Sequence, residues 1–251
     1  MLNRAELEAG QRGRPDRVIR VSQTRLERVI EPFTRADLEK VVPGQVERYI
    51  ALGFHSEVYP KLEEDEAKAR YRADFTLPKD AAQKPEYVGH LDVVSVHDPR
   101  IPLTRKHELA ARIKELDLDE VARRWTTTRV DEWIDISNIE DLTTYPTDIP
   151  YLVFTHDGQK YRKISVTQAK KQFKDFEVGS PQGEVTDLFL QEPAFFVDIG
   201  IYGGGSRLRY GYIPFLDTFY GRPSVHAYSP GKPDAYWGVL SRGKIYIPLG
   251  S

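Results

Sequence analysis

The sequence predicts an α+β protein, and three observations predict it. Helix-spaced apolar residues fill the chain up to about residue 72, helices and strands then mix, and from Ala194 onward the pattern is β-like and rich in Gly, Pro and aromatics. Helices first and strands last point to segregated elements rather than to alternating β-α-β units. The 251 residues allow one or two domains. The pattern divides them into an N-terminal extension, 1–42, partly helical, and a single α+β domain, 43–251, with a β-hairpin at 151–164 and an antiparallel β-rich C-terminal part.

Residues 1–16 hold few apolar side chains and read as a loose arm. Thr24 precedes Leu26, Val29, Ile30 and Phe33 at helical spacing, and Thr34 with Asp37 has the form of a capping box. Pro43 suits the first turn of a new helix, where its missing N–H is not needed. Val46, Tyr49, Ile50 and Leu52 form its stripe and Gly53 its C-terminal cap. A charged helix follows over 62–72. Strands are expected at 74–77 and 87–96, and Thr104 opens a helix carrying Leu109, Ile113 and Leu116; 119–125 reads as another helix.

Around Asp157-Gly158, YLVFT and KYRKI flank a dipeptide that supplies the positive φ of a tight turn, which predicts the hairpin. Ser165 with Gln168 caps a helix running to Phe176. A loop over 179–183 precedes a short helix, 184–191. Strands are then expected at 194–199, 209–215, 224–228, 236–240 and 244–248.

Composition narrows function. With no Cys there is no disulfide, thiolate zinc site or cysteine nucleophile. A net charge of -2 gives no global pull toward nucleic acid or anionic lipid. No apolar run reaches the roughly 18 residues of a membrane span, and the N-terminus lacks the apolar core of a secretory signal. The expectation is a cytoplasmic protein with no membrane partner and no cofactor. The stretch from Arg12 to Arg28 holds six Arg against Asp16 and Glu27. It could serve as a polyanion-binding arm, but no aromatics interleave to stack on bases, so nucleic acid is the lesser expectation.

Gly89-His90-Leu91-Asp92-Val93-Val94 is the sharpest string. On a strand, His90 and Asp92 would share one face and could share a divalent metal. The string resembles the strand motif of di-zinc exopeptidases and deacylases, in which such a His is a ligand and the Asp orients it. A two-metal hydrolase also needs a general-base Glu beside a ligand Glu, and the single Glu-Glu pair, Glu63-Glu64, lies upstream. A metal-dependent hydrolase is therefore the alternative, and a strand whose His and Asp bond to neighbours is the plainer reading. His55, His97, His107 and His156 read as surface or capping residues.

Near the C-terminus, Gly203-Gly204-Gly205 fits a hairpin connection better than an anion loop. Trp237-Gly238 and the Ser241-Arg242-Gly243 turn lie among nine aromatics. These predict a binding surface with Trp237 as an apolar wall, Arg207, Arg222 and Arg242 as anion anchors, and His226 as a polar contact.

Gly44-Gln45 through Gly53-Phe54, Tyr151-Leu152 with Asp157-Gly158, Thr167-Gln168-Ala169, and Pro233 with Trp237-Gly238 and Ser241-Arg242-Gly243-Lys244 occur in an order that resembles an uncharacterised bacterial domain family, common in actinobacteria, over 43–244. The resemblance implies a single soluble intracellular domain and assigns no activity. The expected function is a non-catalytic binding or protein-interaction domain. Its partner would be a protein or a small anionic ligand, or a second copy of the chain.

Overall fold

The computed structural model describes residues 31–110, 112–115, 129–130, 134–196, 199–218 and 223–250. Pro32 to the C-terminus forms one compact unit and 1–31 a separate one. The Arg12–Arg28 arm, the expected helix at 119–125 and Arg222 lie outside the described residues.

Helices dominate the first part. Helix α1 spans Arg35–Leu52, α2 Phe54–Val58 and α3 Glu64–Ala73. The Thr34–Asp37 capping box forms as expected, and Gly53 ends α1 at φ 93°, a conformation that favours glycine. Pro43 does not begin a helix; it lies inside α1. Leu38, Val42, Val46 and Tyr49 make one continuous buried stripe past it, so packing outweighs the lost N–H bond. The unit thus takes in residues 32–42, and the boundary expected at 42/43 falls within a helix.

Strand β1 is Val93–His97, after which come α4, Leu103–Ala110, and α5, Arg112–Glu115. Short pieces follow: β2, Arg129–Val130, and β3, Glu140–Asp141. Then come β4, Tyr151–Thr155; α6, Val166–Gln172; β5, Glu177–Gly179; and α7, Gln182–Gln191. The C-terminal part holds β6, Gly200–Gly203; β7, Ser206–Arg207; β8, Ile213–Asp217; β9, Ser224–Tyr228; β10, Trp237–Gly243; and β11, Ile247–Pro248. The main sheet runs β1-β4-β10-β6-β8-β9-β2, with β11 on β4 and β5 on β10; β3 and β7 form a separate pair. The fold is α+β, as expected, with helices mostly early and strands late.

Several further expectations change, among them the strand expected at 194–199, where Pro193–Phe196 is a 3-10 helix and the strand begins at Gly200. The sheet is mixed, because β10 pairs with β6, and β2 with β9, in parallel. The hairpin does not form. Gly158 takes φ 82°, but 160–164 is turn, and β4 pairs instead with β1 along its whole length. Residues 74–77 are not strand, and of 87–96 only Val93 onward is.

As an edge strand, β1 would expose unpaired backbone groups. Gln45 of α1 covers them: its Nε2 donates to Val94 O (2.9 Å) and its Oε1 accepts from the Val96 N–H (3.0 Å). The larger core joins α1, the inward faces of β1 and β4, and the apolar side of α7; Tyr202, Phe215 and Val239 form a second cluster with Tyr161, Val166 and Ala169. No helix among the described residues is long and apolar enough to cross a membrane.

At Gly238 an added Cβ would fall onto Gly158 O and come within 2.8 Å of Ile199 Cδ1, whereas at Gly183 in α7 it would meet nothing within 4 Å. Gly238→Ala is expected to cost about 1–3 kcal/mol, and Gly183→Ala to be neutral or to stabilise by up to about 1 kcal/mol. Urea unfolding midpoints of the two variants check this.

Candidate functional site

Register and alternation bring one set of rings together. Ile213 faces Tyr228, Phe215 faces His226, and Asp217 faces Ser224 across β8–β9. Tyr202 of β6 sits opposite Phe215, and Val239 of β10 opposite Tyr202. Paired residues share a face, so Trp237, Val239, Tyr202, Phe215, His226 and Tyr228 all project from one side. Trp237 lies 4.7 Å from both Phe215 and Tyr228, and 5.6 Å from Tyr202, centroid to centroid. His226 stacks on Phe215 at 5.3 Å and 28°, and its Nε2 is 3.7 Å from Asp217 Oδ1. Gly200 makes room for this: a Cβ there would come within 2.8 Å of Trp237 Cδ1 and 3.3 Å of Phe215 Cδ2.

The cluster is closed on one side only. Val166 and Ala169 of α6, with Tyr161, cover Tyr202 and Phe215. Toward its open edge, His226 and Trp237 are half-buried and Tyr228 and Tyr236 are exposed. Lys232 Nζ sits 4.5 Å over the Tyr228 ring.

His226 and Trp237 are thus brought together as expected. The arginines are not. Arg207 is held on β7 by Glu140 through two hydrogen bonds of 2.8 and 3.0 Å. Arg242 projects from the opposite face of β10 and is 1 % exposed. Its Nε pairs with Glu184 Oε1 at 2.8 Å, and its other nitrogens donate to Gly243 O and Thr144 O. Arg242 is therefore a structural cation rather than a ligand anchor. The Gly203–Gly205 run does not cradle an anion either: the Gly204 and Gly205 N–H groups donate to Tyr202 O and Ser180 O.

The His90–Asp92 pair does not share a strand face. His90 lies in a turn before β1 and packs on Phe176, while Asp92 Oδ1 accepts the Gly89 N–H at 2.9 Å and closes that turn. The apolar run that imitates a strand begins only after this turn. No cluster of three metal-ligating residues occurs among the described residues.

A buried charged centre around α7 escaped the sequence pattern. Asp187 Oδ2 meets Lys106 Nζ at 2.5 Å and His97 Nδ1 at 3.1 Å. Glu184 Oε1 accepts from Tyr151 at 2.9 Å and forms the ion pair with Arg242. His107 Nε2 lies 3.4 Å from Thr186 Oγ1. His55, His97, His107 and His156 are all buried, not surface residues. The available signal was Glu184, Asp187 and Gln191 at positions i, i+3 and i+7, a polar stripe on a helix that also carries Val185, Leu188, Phe189 and Leu190.

Two arrangements resemble catalytic pairs. His156 Nε2 is 3.1 Å from Ser241 Oγ, but the Gly158 N–H donates to Nδ1 at 3.0 Å. The Ser241 N–H also points at Nε2, at 3.2 Å, so both ring nitrogens face backbone donors, and with His156 and Ser241 both buried the pair fastens β10 to the end of β4 rather than meeting a substrate. Asp187 orients His97 in the manner of a carboxylate–imidazole pair and leaves Nε2 without a partner. Yet His97 and Asp187 are buried and Lys106 already neutralises the carboxylate, which makes the group a brace between β1, α4 and α7.

Two concavities open elsewhere. One of about 720 Å³ lies between α1, α2 and α3 and is lined by His55, Lys68, Arg72 and Arg112. One of about 560 Å³ lies beside Glu140, Arg207, Arg209 and Tyr210. No known family model, curated protein or solved structure matches the chain.

Lys106→Met leaves Asp187 buried without its cation and is expected to cost about 3–5 kcal/mol; pairing it with Asp187→Leu should restore most of that. Chemical denaturation of the single and double variants tests it. Burial, aided by Lys106, lowers the His107 pKa to about 4, and burial, aided by Lys160, lowers that of His156 to about 3. Both imidazoles stay neutral in the folded chain while the unfolded chain takes up protons below about pH 6.5. Stability is thus fully present above that value and falls as the pH drops toward 4. His107→Asn and His156→Asn should each flatten the decline between pH 7 and 4.5, as read from urea midpoints.

Proposed function

We propose that this protein is a non-catalytic binding module that engages a partner through the open edge of its C-terminal β layer. One observation carries the reading. Trp237, Tyr228 and His226 converge on buried Phe215 at a single sheet face and themselves stay partly exposed. Large rings held partly in water by a rigid scaffold are the usual anchors of an interface. The chemistry of the rest of the chain agrees: the pairs that resemble catalytic groups are committed to backbone partners or to a buried cation. The contact set is His226, Tyr228, Tyr236 and Trp237, in place of a set containing Arg207 and Arg242. A cytoplasmic setting follows from the resemblance to the bacterial domain family, which itself suggests no activity.

The test is site-specific photocrosslinking in cells with a benzoylphenylalanine side chain. At Tyr228 or Tyr236 it should give a discrete adduct. At Glu39 or Lys40, exposed on α1, it should give none. Equal adducts at all four positions, or none at Tyr228 and Tyr236, would sink the proposal.

A further inference from the structure

The connection from β7 to β8 places Tyr210 at φ 66°, ψ 14°, with Gly211 behind it at φ 78°. The turn is tied by the Gly211 N–H to Leu208 O (3.0 Å) and by the Leu208 N–H to Tyr212 O (2.7 Å). A left-handed conformation is strained for an L-residue with a bulky side chain, and glycine or asparagine would occupy it with less cost. Burial does not offset the strain, since Tyr210 is 83 % exposed, the largest exposure of any large apolar residue described. Its ring meets the Arg209 guanidinium, 5.1 Å from the centroid, and no other ring among the described residues. Strain of this kind persists where a side chain must be displayed.

What surrounds the ring sets the chemistry of the occupant. Arg209 borders the 560 Å³ concavity together with Arg207, Leu208, Asn138 and one carboxylate, Glu140, which is paired to Arg207. Three residues beyond Tyr210, Ile213 pairs with Tyr228, over which Lys232 sits. The turn and the end of β9 thus present the same pairing twice, a cation against an exposed tyrosine. Arg209 and Lys232 have no carboxylate partner among the described residues, whereas Arg207 is held by exposed Glu140, a surface pair weak enough to exchange. Two free cations do not make the continuous track that a phosphate backbone needs. They match the one or two carboxylates of a peptide.

We infer that the Arg209–Tyr210 turn is the contact point for an acidic peptide segment of a protein partner, with its carboxylates on Arg209 and Lys232 and an apolar side chain against Tyr210. This names the partner chemistry of the binding face proposed above and rests on that proposal.

The experiment uses the full chain and fluorescence anisotropy. The probe is a short labelled peptide of glutamate with interspersed phenylalanine; a lysine-for-glutamate peptide and oligouridylate are the comparisons. The glutamate peptide should bind best, and more weakly as salt rises. Tyr210→Gly should weaken it about tenfold or more while leaving the melting temperature unchanged or raised, and Arg209→Ala and Lys232→Ala should each weaken it. Absence of peptide binding, tighter binding of oligouridylate, unchanged affinity in Tyr210→Gly, or a melting temperature several degrees lower in that variant would each overturn the inference. If Tyr228→Ser abolishes peptide binding while Tyr210→Gly does not, the turn is wrong and the face stands. If crosslinking at Tyr228 also fails, both are wrong.

Discussion

The structure depends on two carboxylates carried by one buried helix. Every residue of helix α7 except Gly183 is buried, so Glu184 and Asp187 cannot reach solvent and must be matched from within. Glu184 takes Tyr151 from β4 and Arg242 from β10; Asp187 takes Lys106 from α4 and His97 from β1. Each carboxylate ties together elements far apart in sequence. The ladder makes this necessary, because β4 and β10 share only the register pair Arg242–Thr155. A sheet joined at one residue pair would hinge there. The Glu184 bridge and the bond from Thr155 Oγ1 to Ser241 O (2.7 Å) hold the two halves in one register. Buried ion pairs contribute little net stability compared with apolar replacements, but a wrong arrangement strands a charge. The centre therefore acts chiefly on specificity of assembly.

That constraint also fixes the face proposed for binding. Side chains alternate along β10, so Trp237 and Arg242, five residues apart, project from opposite sides. Anchoring Arg242 in the α7 centre sets the rotation of the strand and directs Trp237 toward Phe215 and Tyr228. Glycine completes the fit, since Gly200 leaves space for the indole and Gly238 lets β10 lie against Gly158. The rigidity of the exposed rings is thus inherited from a charged cluster on the far side of the sheet.

Local chemistry was legible in the sequence and non-local pairing was not. The Thr34–Asp37 and Ser165–Gln168 capping boxes and the Gly53 cap form because their partners lie within four residues. β9 matches its expected range, 224–228, because its ends are marked by Pro223 and the Pro230-Gly231 turn. The Asp157-Gly158 signal gave the turn but not the hairpin, since the partner of β4 is β1, more than fifty residues upstream. The grouping of Arg207 and Arg242 with Trp237 failed for different reasons. For Arg242 the alternation rule already placed it on the other face. For Arg207 the captor, Glu140, lies on β3, whose pairing with β7 no local pattern encodes. His97 and His107 failed as surface residues because their burial depends on α7, whose polar stripe has meaning only once its neighbours are in place, and His156 because it packs on Ser241 and Tyr161, far away in sequence or beyond the turn.

The exposed rings are best understood as an unfinished layer. A sheet with two apolar faces needs cover on both. On the α7 side, Ile201, Leu216 and Leu240 are fully covered. On the other side the cover is α6, a helix of 7 residues that contributes only Val166 and Ala169 as buried side chains. So small a lid shields Tyr202 and Phe215 but stops short of Trp237, Tyr228 and His226. A longer or bulkier helix would have closed the face. Instead the first turn of the lid ends against the loop before β10, where the Thr167 N–H donates to Pro230 O, and that loop places Lys232 over Tyr228. The open edge therefore carries a cation, Lys232, beside its exposed rings.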